Sequence, residues 1–521
     1  MYKNVEVYIL KTFCEKHISI IGGVLLLIIM VSISFLKGGV HGDELFTFAL
    51  ANSETWPMAS IVDFNIYNGE EFFNDSFSAV DNEFNYKNTY EKQASDVHPP
   101  MYYYIIHTLC SIFSNPKNLV AVGLGWNIFM AICVYFIMNK IVNVFIENKT
   151  YSAIISLLFC LTFGILDGVY FMRMYVWLLF LYMTIFYLFI KYEPKVKRPA
   201  YFYVLLYVIT AIGGLTHYFY IPYIGVISLV FGILLLRYKK VLDFFVGIVS
   251  VLGGLLTSYL LFPEMEYHIF QGYRGAEAIG YIKAEGFRGN VLFYIDLINQ
   301  YLFGGAIVII AIIIIAGLIV NRKKLDFKIK NLDRYIIMVA TMIIMVIAIM
   351  KAAPYQETRY MYAIYYMIFL AVYLPLYNIL GKVQGKSQVI FVAVLAITTL
   401  IAFRNPIPKL YLEGNDNSKA IETYCEDDSI CVYVYNIYNR WIMHDNMLDI
   451  NEFENVMFIG SNKVNYINQN LFEKYDNIVL YLDSSISIEA STLLEQIRTR
   501  GDRDNITELF EFGYSKTYLI N

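Results

Sequence analysis

The sequence predicts a polytopic α-helical membrane protein with about 11 transmembrane helices, juxtamembrane helices in its first external loop and a small extracytoplasmic α/β domain at its C-terminal end. Three observations predict it. The 521-residue chain is 58% hydrophobic and only 16% charged, against about 25% charged in a soluble domain. Long apolar runs recur from about Ile18 to Phe403, and from Asn405 onward the sequence is polar and mixed. Charge is also unevenly shared: residues 37–98 carry 3 basic and 11 acidic side chains, the tail from Asn405 carries 9 and 19, and the remainder is net +14.

That asymmetry sets the threading, because cytoplasmic loops are enriched in Lys and Arg. The run 18–36 follows Lys3, Lys11 and Lys16, and no small-residue cleavage site follows it. It reads as a retained first span running outward, not as a cleaved signal. "KYEPKVKR" (191–198), "RYKK" (237–240), "NRKKLDFKIKNLDR" (321–334) and "GKVQGKSQ" (381–388) read as cytoplasmic. Counting back from the first of these, 169–190 descends, "GILDG" (164–168) is an external turn, 151–166 rises and 119–142 descends. The stretch "SDVHPPMYYYIIHTL" between the first span and 119–142 therefore starts and ends outside. Its apolar part, Pro99–Phe113, is also shorter than the roughly 20 residues a crossing needs. It is expected to lie along, or dip into, the external membrane face. The later spans fall at about 201–214, 216–236, 241–262, 299–320, 334–350, 359–380 and 388–404. The membrane domain is then 1–404, with a first external loop at 37–118, and 405–521 is extracytoplasmic.

The tail alternates strand-like runs, 430–436, 456–460, 477–483 and 516–520, with helix-like ones such as 487–500, as an α/β domain does. It has no phosphate-binding glycine loop, which leaves it a binding or support module. Cys110, Cys133 and Cys160 fall in apolar segments as packing residues. Cys425 and Cys431 are near enough in sequence for a disulfide, without a framework spacing to require one.

Once threaded, the unusual ionisable residues share one face. They are Asp43 and Glu44 after the first span, His98, Asp167 and Arg173, His217 in "GGLTHY", Arg274 and Arg288 in the loop 263–298, and Arg359. Ionisable groups beside apolar helix ends are costly and mark sites or pathways, although single ones also snorkel to water. Asp43 or Glu44 could accept a proton from an attacking hydroxyl, and an acidic pair outside a membrane is equally an ordinary solvated one. Arg173 and Arg359 offer donor forks suited to phosphate. Tyr102, Tyr175, Tyr218 and Tyr360 beside these groups could wall a lipid or sugar groove, or belong to an interfacial aromatic belt. His98 and His217 suit a phosphate hydrogen bond or a divalent metal, but no HExxH or CxxC spacing assigns a metal.

These pieces in this order, "GDELFTFA", "DVHPPMYYYIIHTL", "MRMY", "THYFYIPY" and "ETRYMYAIYYMIFL", resemble the bacterial polyprenyl-phosphate-sugar-dependent glycosyltransferases of GT-C fold, the superfamily of protein O-mannosyltransferases and lipid A aminoarabinose transferases. The resemblance runs from about Asp43 to Leu370. It implies a polyprenyl-phosphate sugar donor and an extracytoplasmic glycan, lipid or protein acceptor. It also implies Asp43 as general base and Arg173, His217 and Arg359 around the donor phosphate or sugar. The acidic stretch between Asp43 and His98 is longer than in that family, and there is no "WWD" of the oligosaccharyl-transferring branch. A transporter or flippase of a lipid-linked precursor would instead place polar groups near the bilayer midplane on internal repeats, and a non-catalytic sensor would not need Asp43. Membrane lipids are expected partners and nucleic acid is not.

Overall fold

A backbone in lipid has only itself to hydrogen-bond to, so long apolar runs become helices. The computed structural model describes residues 2–283, 287–325, 331–353, 355–383, 385–404, 407–426, 428–467, 474–486, 490–501 and 505–521. The chain forms two units. The first comprises Met1–Ser32, Asp96–Tyr102 and Gly125–Ile407, and the second Ile33–Ser95, Tyr103–Leu124 and Pro408–Asn521.

Among the described residues, six helices are long and apolar enough to cross a membrane: His17–Ser34, Pro116–Phe145, Tyr220–Arg237, Val241–Leu261, Leu332–Ala352 and Thr358–Gly381. Two bent pairs, Lys149–Cys160 with Phe163–Tyr170 (56°) and Gly289–Phe303 with Ile307–Asn321 (73°), raise this to as many as eight. Tyr175–Lys191, Ala200–Gly214 and Lys386–Thr398 are shorter apolar helices. The HPP stretch forms the helix Met101–Ile112, whose 12 residues span roughly 18 Å at the α-helical rise.

Three expectations change. Gly164–Gly168 is not a turn but part of the helix Phe163–Tyr170, and the chain turns at residues 171–174 instead. Gly164 is small for packing: a Cβ there would stand 2.8 Å from the Tyr365 ring and 3.3 Å from Tyr301 Cβ. The run 299–320 is not one straight helix, because Gly304 and Gly305 adopt φ of +58° and +84°, a conformation that ends a right-handed helix. The loop 263–298 contains the helices Met265–Phe270 and Tyr273–Lys283 and the start of Phe287–Phe303. Residues 326–330 of the basic loop and 487–489 of the expected tail helix lie outside the described residues.

The second unit is built on a six-stranded sheet. Its strands are β1 (Ile66–Tyr67), β2 (Ser429–Tyr435), β3 (Val456–Gly460), β4 (Asn477–Asp483), β5 (Ile506–Phe512) and β6 (Ser515–Ile520), in the order β1-β3-β2-β4-β6-β5. β2 pairs parallel with β3 and β4, and the outer pairings are antiparallel. The buried parallel strands read as continuous apolar runs. Ile430, Val432, Val434, Met457, Ile478 and Leu480 form the core with Leu493. β1 comes from the first loop, where Ile66 is in register with Met457. Asp63 anchors that junction, accepting from Gly460 N–H at 2.6 Å, Tyr435 Oη–H at 2.9 Å and Lys463 Nζ at 2.7 Å. Cys425 and Cys431 are free thiols.

Candidate functional site

In the first unit, turns at the ends of apolar helices bring the sequence-predicted cations together. Arg173 lies in the turn before the helix Tyr175–Lys191, His217 in the turn before Tyr220–Arg237, and Arg359 in a short 3-10 turn before Tyr365–Leu376. One narrow cleft is lined by Tyr175, His217, Arg359 and Tyr360, with Tyr182 and Phe219. The Arg359 guanidinium stands 6.0 Å from the Tyr360 ring centre. His98 and His217 face each other with ring centres 5.9 Å apart, and Tyr175 is 6.1 Å from His217. Arg173 is buried, and its charge is felt by both Asp96 and His217.

Asp96 is the group that sequence reasoning missed. Its Oδ2 lies 3.3 Å from His98 Nδ1. Burial works against its charge, yet the His98 hydrogen bond, with Arg173 contributing, holds its carboxyl below the usual range. His217 goes the other way. Burial first, then the positive charges of His98, Arg173 and Arg359, lowers its pKa to about 3, so it is neutral at physiological pH.

Other predicted residues stand apart from this cleft lining. Asp167 is buried and accepts a hydrogen bond from Tyr362 Oη–H, and the Tyr362 ring packs edge-on to Tyr175 at 5.8 Å. Asp167 thus sits behind the wall and holds it. Tyr218 bonds His268 Nδ1 at 2.7 Å. Arg274 pairs with Glu277 at 2.9 Å and lies over the rings of Tyr273 and Tyr355. Tyr102 is fully buried.

In the second unit the acidic pair divides. The helix Gly42–Asn52 starts with a reciprocal cap: His41 Nδ1 accepts the Asp43 N–H at 3.0 Å, and Glu44 accepts the His41 N–H at 2.7 Å. Glu44 is fully buried and paired with Lys37 at 3.2 Å. Its carboxylate completes a cap, as such glutamates do. Asp43, one position earlier, is only half-buried. Gly42 N–H donates to Asp445 Oδ1. Among the described residues no group of three or more His, Cys, Asp and Glu side chains is placed to hold a metal ion.

No protein-family model matches this chain, and no curated protein matches it. Solved structures do. ArnT from Cupriavidus metallidurans bound to undecaprenyl phosphate is similar over 94% of this chain and 97% of that one, at 9% identity and a TM-score of 0.47. AglB, an archaeal oligosaccharyltransferase from Archaeoglobus fulgidus in complex with an inhibitory peptide and a dolichol-phosphate, is similar over 94% and 72%, at 11% identity and 0.44. Both are GT-C fold enzymes.

Proposed function

We propose that this chain is an integral-membrane glycosyltransferase that moves a sugar from a polyprenyl phosphate to an extracytoplasmic acceptor, a glycan, lipid or protein hydroxyl, with Asp43 as general base. The observation that carries this is the gathering of Arg359, His217, Tyr175 and Tyr360 in one cleft, with Arg173 and the Asp96–His98 pair in electrostatic reach of it. An anion that enters meets donor forks and aromatic walls at the ends of apolar helices. A lipid phosphate with a sugar attached has that chemistry.

The reaction needs two kinds of help. The acceptor oxygen forms a bond to the anomeric carbon while the bond from that carbon to the phosphate oxygen breaks. The electron pair leaves on the phosphate, where Arg173 and Arg359 stabilise it. The acceptor's proton goes to a base. Asp43 is assigned that role as the first acid of the pair, the position that the resemblance implies; Glu44 pairs with Lys37 and caps the helix. Asp96, 3.3 Å from His98 Nδ1, keeps that ring oriented beside His217.

The test is transfer of labelled sugar from polyprenyl phosphate in vesicles holding the wild-type chain or Asp43→Asn at equal expression. The expected result is transfer by the wild type and a loss of roughly 100- to 10,000-fold in the variant, the range of a lost general base. Equal transfer by both would remove Asp43 from the reaction. No transfer by the wild type from any lipid-linked sugar would put the transporter reading ahead.

A further inference from the structure

We propose that Asp445 is a positioning residue for Asp43: by accepting the Gly42 N–H, it fixes the turn from which the base carboxylate projects. The proposal rests on the transferase reading above and assigns the C-terminal segment a part in the reaction.

Several observations converge on this carboxylate, all within the second unit. Gly42 is the first residue of the helix that carries Asp43, and its N–H, one of the donors a helix start leaves over, goes to Asp445 Oδ1. A Cβ on Gly42 would stand 2.8 Å from that same oxygen and 3.5 Å from His444 Cβ. From the opposite side comes Gly513, in the β5–β6 turn with φ +60°, where a Cβ would stand 2.5 Å from Asp445 Oδ2. Two glycines far apart in the chain thus make room for one carboxylate. The neighbouring His444 holds the next turn of the helix, its ring edge-on to Phe46 at 5.4 Å and to Phe77 at 5.7 Å. The 3-10 segment Arg440–Asn446 therefore grips the start of the Asp43 helix from outside its own sequence.

The grip is also electrostatic. Burial pushes the Asp445 carboxyl up to about 7, the Gly42 bond and Lys409 work against that rise, and Asp43 and Glu44 add to it. Lys37 pairs with Glu44, His41 caps the Asp43 helix and His444 neighbours Asp445 on its own segment, while the β5–β6 turn faces the carboxylate with Gly513. Above this range Asp445 carries a negative charge that interacts with Asp43. Below it that charge is gone.

The experiment uses the full chain in proteoliposomes with tritiated mannose, glucose or galactose on undecaprenyl phosphate, assayed across about pH 6 to 8, spanning neutrality. Asp445→Asn keeps an oxygen for the Gly42 N–H and removes the charge, whereas Asp445→Ala removes both. For Asp445→Ala we expect kcat to fall roughly 100-fold with KM for the donor unchanged, the effect of a misaimed group. For Asp445→Asn we expect kcat within about 10-fold of wild type at the acid end, and loss of the wild-type rise near pH 7. Wild-type kcat in Asp445→Ala, or an unchanged rise in Asp445→Asn, overturns the proposal. Hydrogen exchange of the amides of residues 42–45 is read on the same samples, so that a wild type without transfer activity fails the transferase reading alone. Faster exchange in Asp445→Ala and protection kept in Asp445→Asn support the positioning role, and equal exchange in all three overturns it.

Discussion

Two histidines facing each other at 5.9 Å have opposite electrostatic surroundings. His98 has the Asp96 carboxylate beside it, whereas burial and three positive neighbours keep His217 neutral. A group whose folded pKa is lowered from 6.5 to about 3 binds fewer protons folded than unfolded. The native state therefore loses stability as pH falls through that window. His217→Gln should unfold with less acid sensitivity between those limits, in a thermal melt of the detergent-solubilised chain, and a pH dependence identical to wild type would refute it. For the arginines, charge and shape are separable. Arg173→Lys keeps the charge and loses the fork, and kcat/KM for donor should drop roughly 10- to 100-fold, about 1.4–2.8 kcal/mol. Unchanged kcat/KM would reduce Arg173 to a point charge. The cations were legible in the sequence because ionisable residues at apolar helix ends stand out. Asp96 was not, since one more acid in a loop with 11 of them shows nothing until its partner is known. Tyr218 and Asp167 were legible as polar groups, but their partners lie 50 and 195 residues away.

The Asp43 helix is held at both ends. Its start has the His41–Glu44 cap and Asp445, and its end has Lys92, a buried amine whose Nζ reaches the carbonyls of Ala49 and Ser53 and the Ser53 hydroxyl. A cation is favoured at a helix C-terminus, but burial lowers the pKa of Lys92 to about 7. With a folded pKa below the usual 10.5, this lysine makes the fold more stable as pH rises from about 7 towards that value. Lys92→Met should abolish that rise and, by removing a donor that the Ala49 and Ser53 carbonyls share with Ser53 Oγ–H and Asn88 Nδ2–H, destabilise by about 1 kcal/mol at neutral pH. A melting curve unaltered in midpoint and pH dependence would contradict it. At the other end, Gly42→Ala must push its methyl against Asp445 and should cost about 1–3 kcal/mol as an overpacked site. Glycine was where sequence reading of elements went furthest astray. In "GILDG" it suggests a turn, yet both glycines are helical and face tyrosine rings. In Gly304–Gly305 the same residue does break a helix. Only the neighbours across the packing distinguish the two uses.

At the scale of the molecule, strand pairing constrains how the chain crosses the membrane. β1 and β3 share one sheet with Ile66 opposite Met457, so those residues lie on the same side and the number of crossings between them is even. β2, β3, β4 and β6 coincide with the strand-like apolar runs read in the tail, whereas β5, Ile506–Phe512, was not read. That the tail shares a unit with residues 33–95 and 103–124 was not legible, because the two-residue strand β1 has no periodicity to read. The threading from charge gives ten crossings between Tyr67 and Val456, an even number, and a crossing by Met101–Ile112 would make it odd. On this threading, Ser60 and Asn462, both exposed, face outside, and Lys323, exposed in the basic loop, faces the cytoplasm. Ser60→Cys and Asn462→Cys should both react with a membrane-impermeant maleimide in intact cells, and Lys323→Cys only after permeabilisation, with the parent chain as control. Labelling of 60 without 462 would contradict the sheet itself. Labelling of all three from outside would leave the sheet and the extracytoplasmic placement of Asp43 intact and overturn the count of crossings on the way to Lys323.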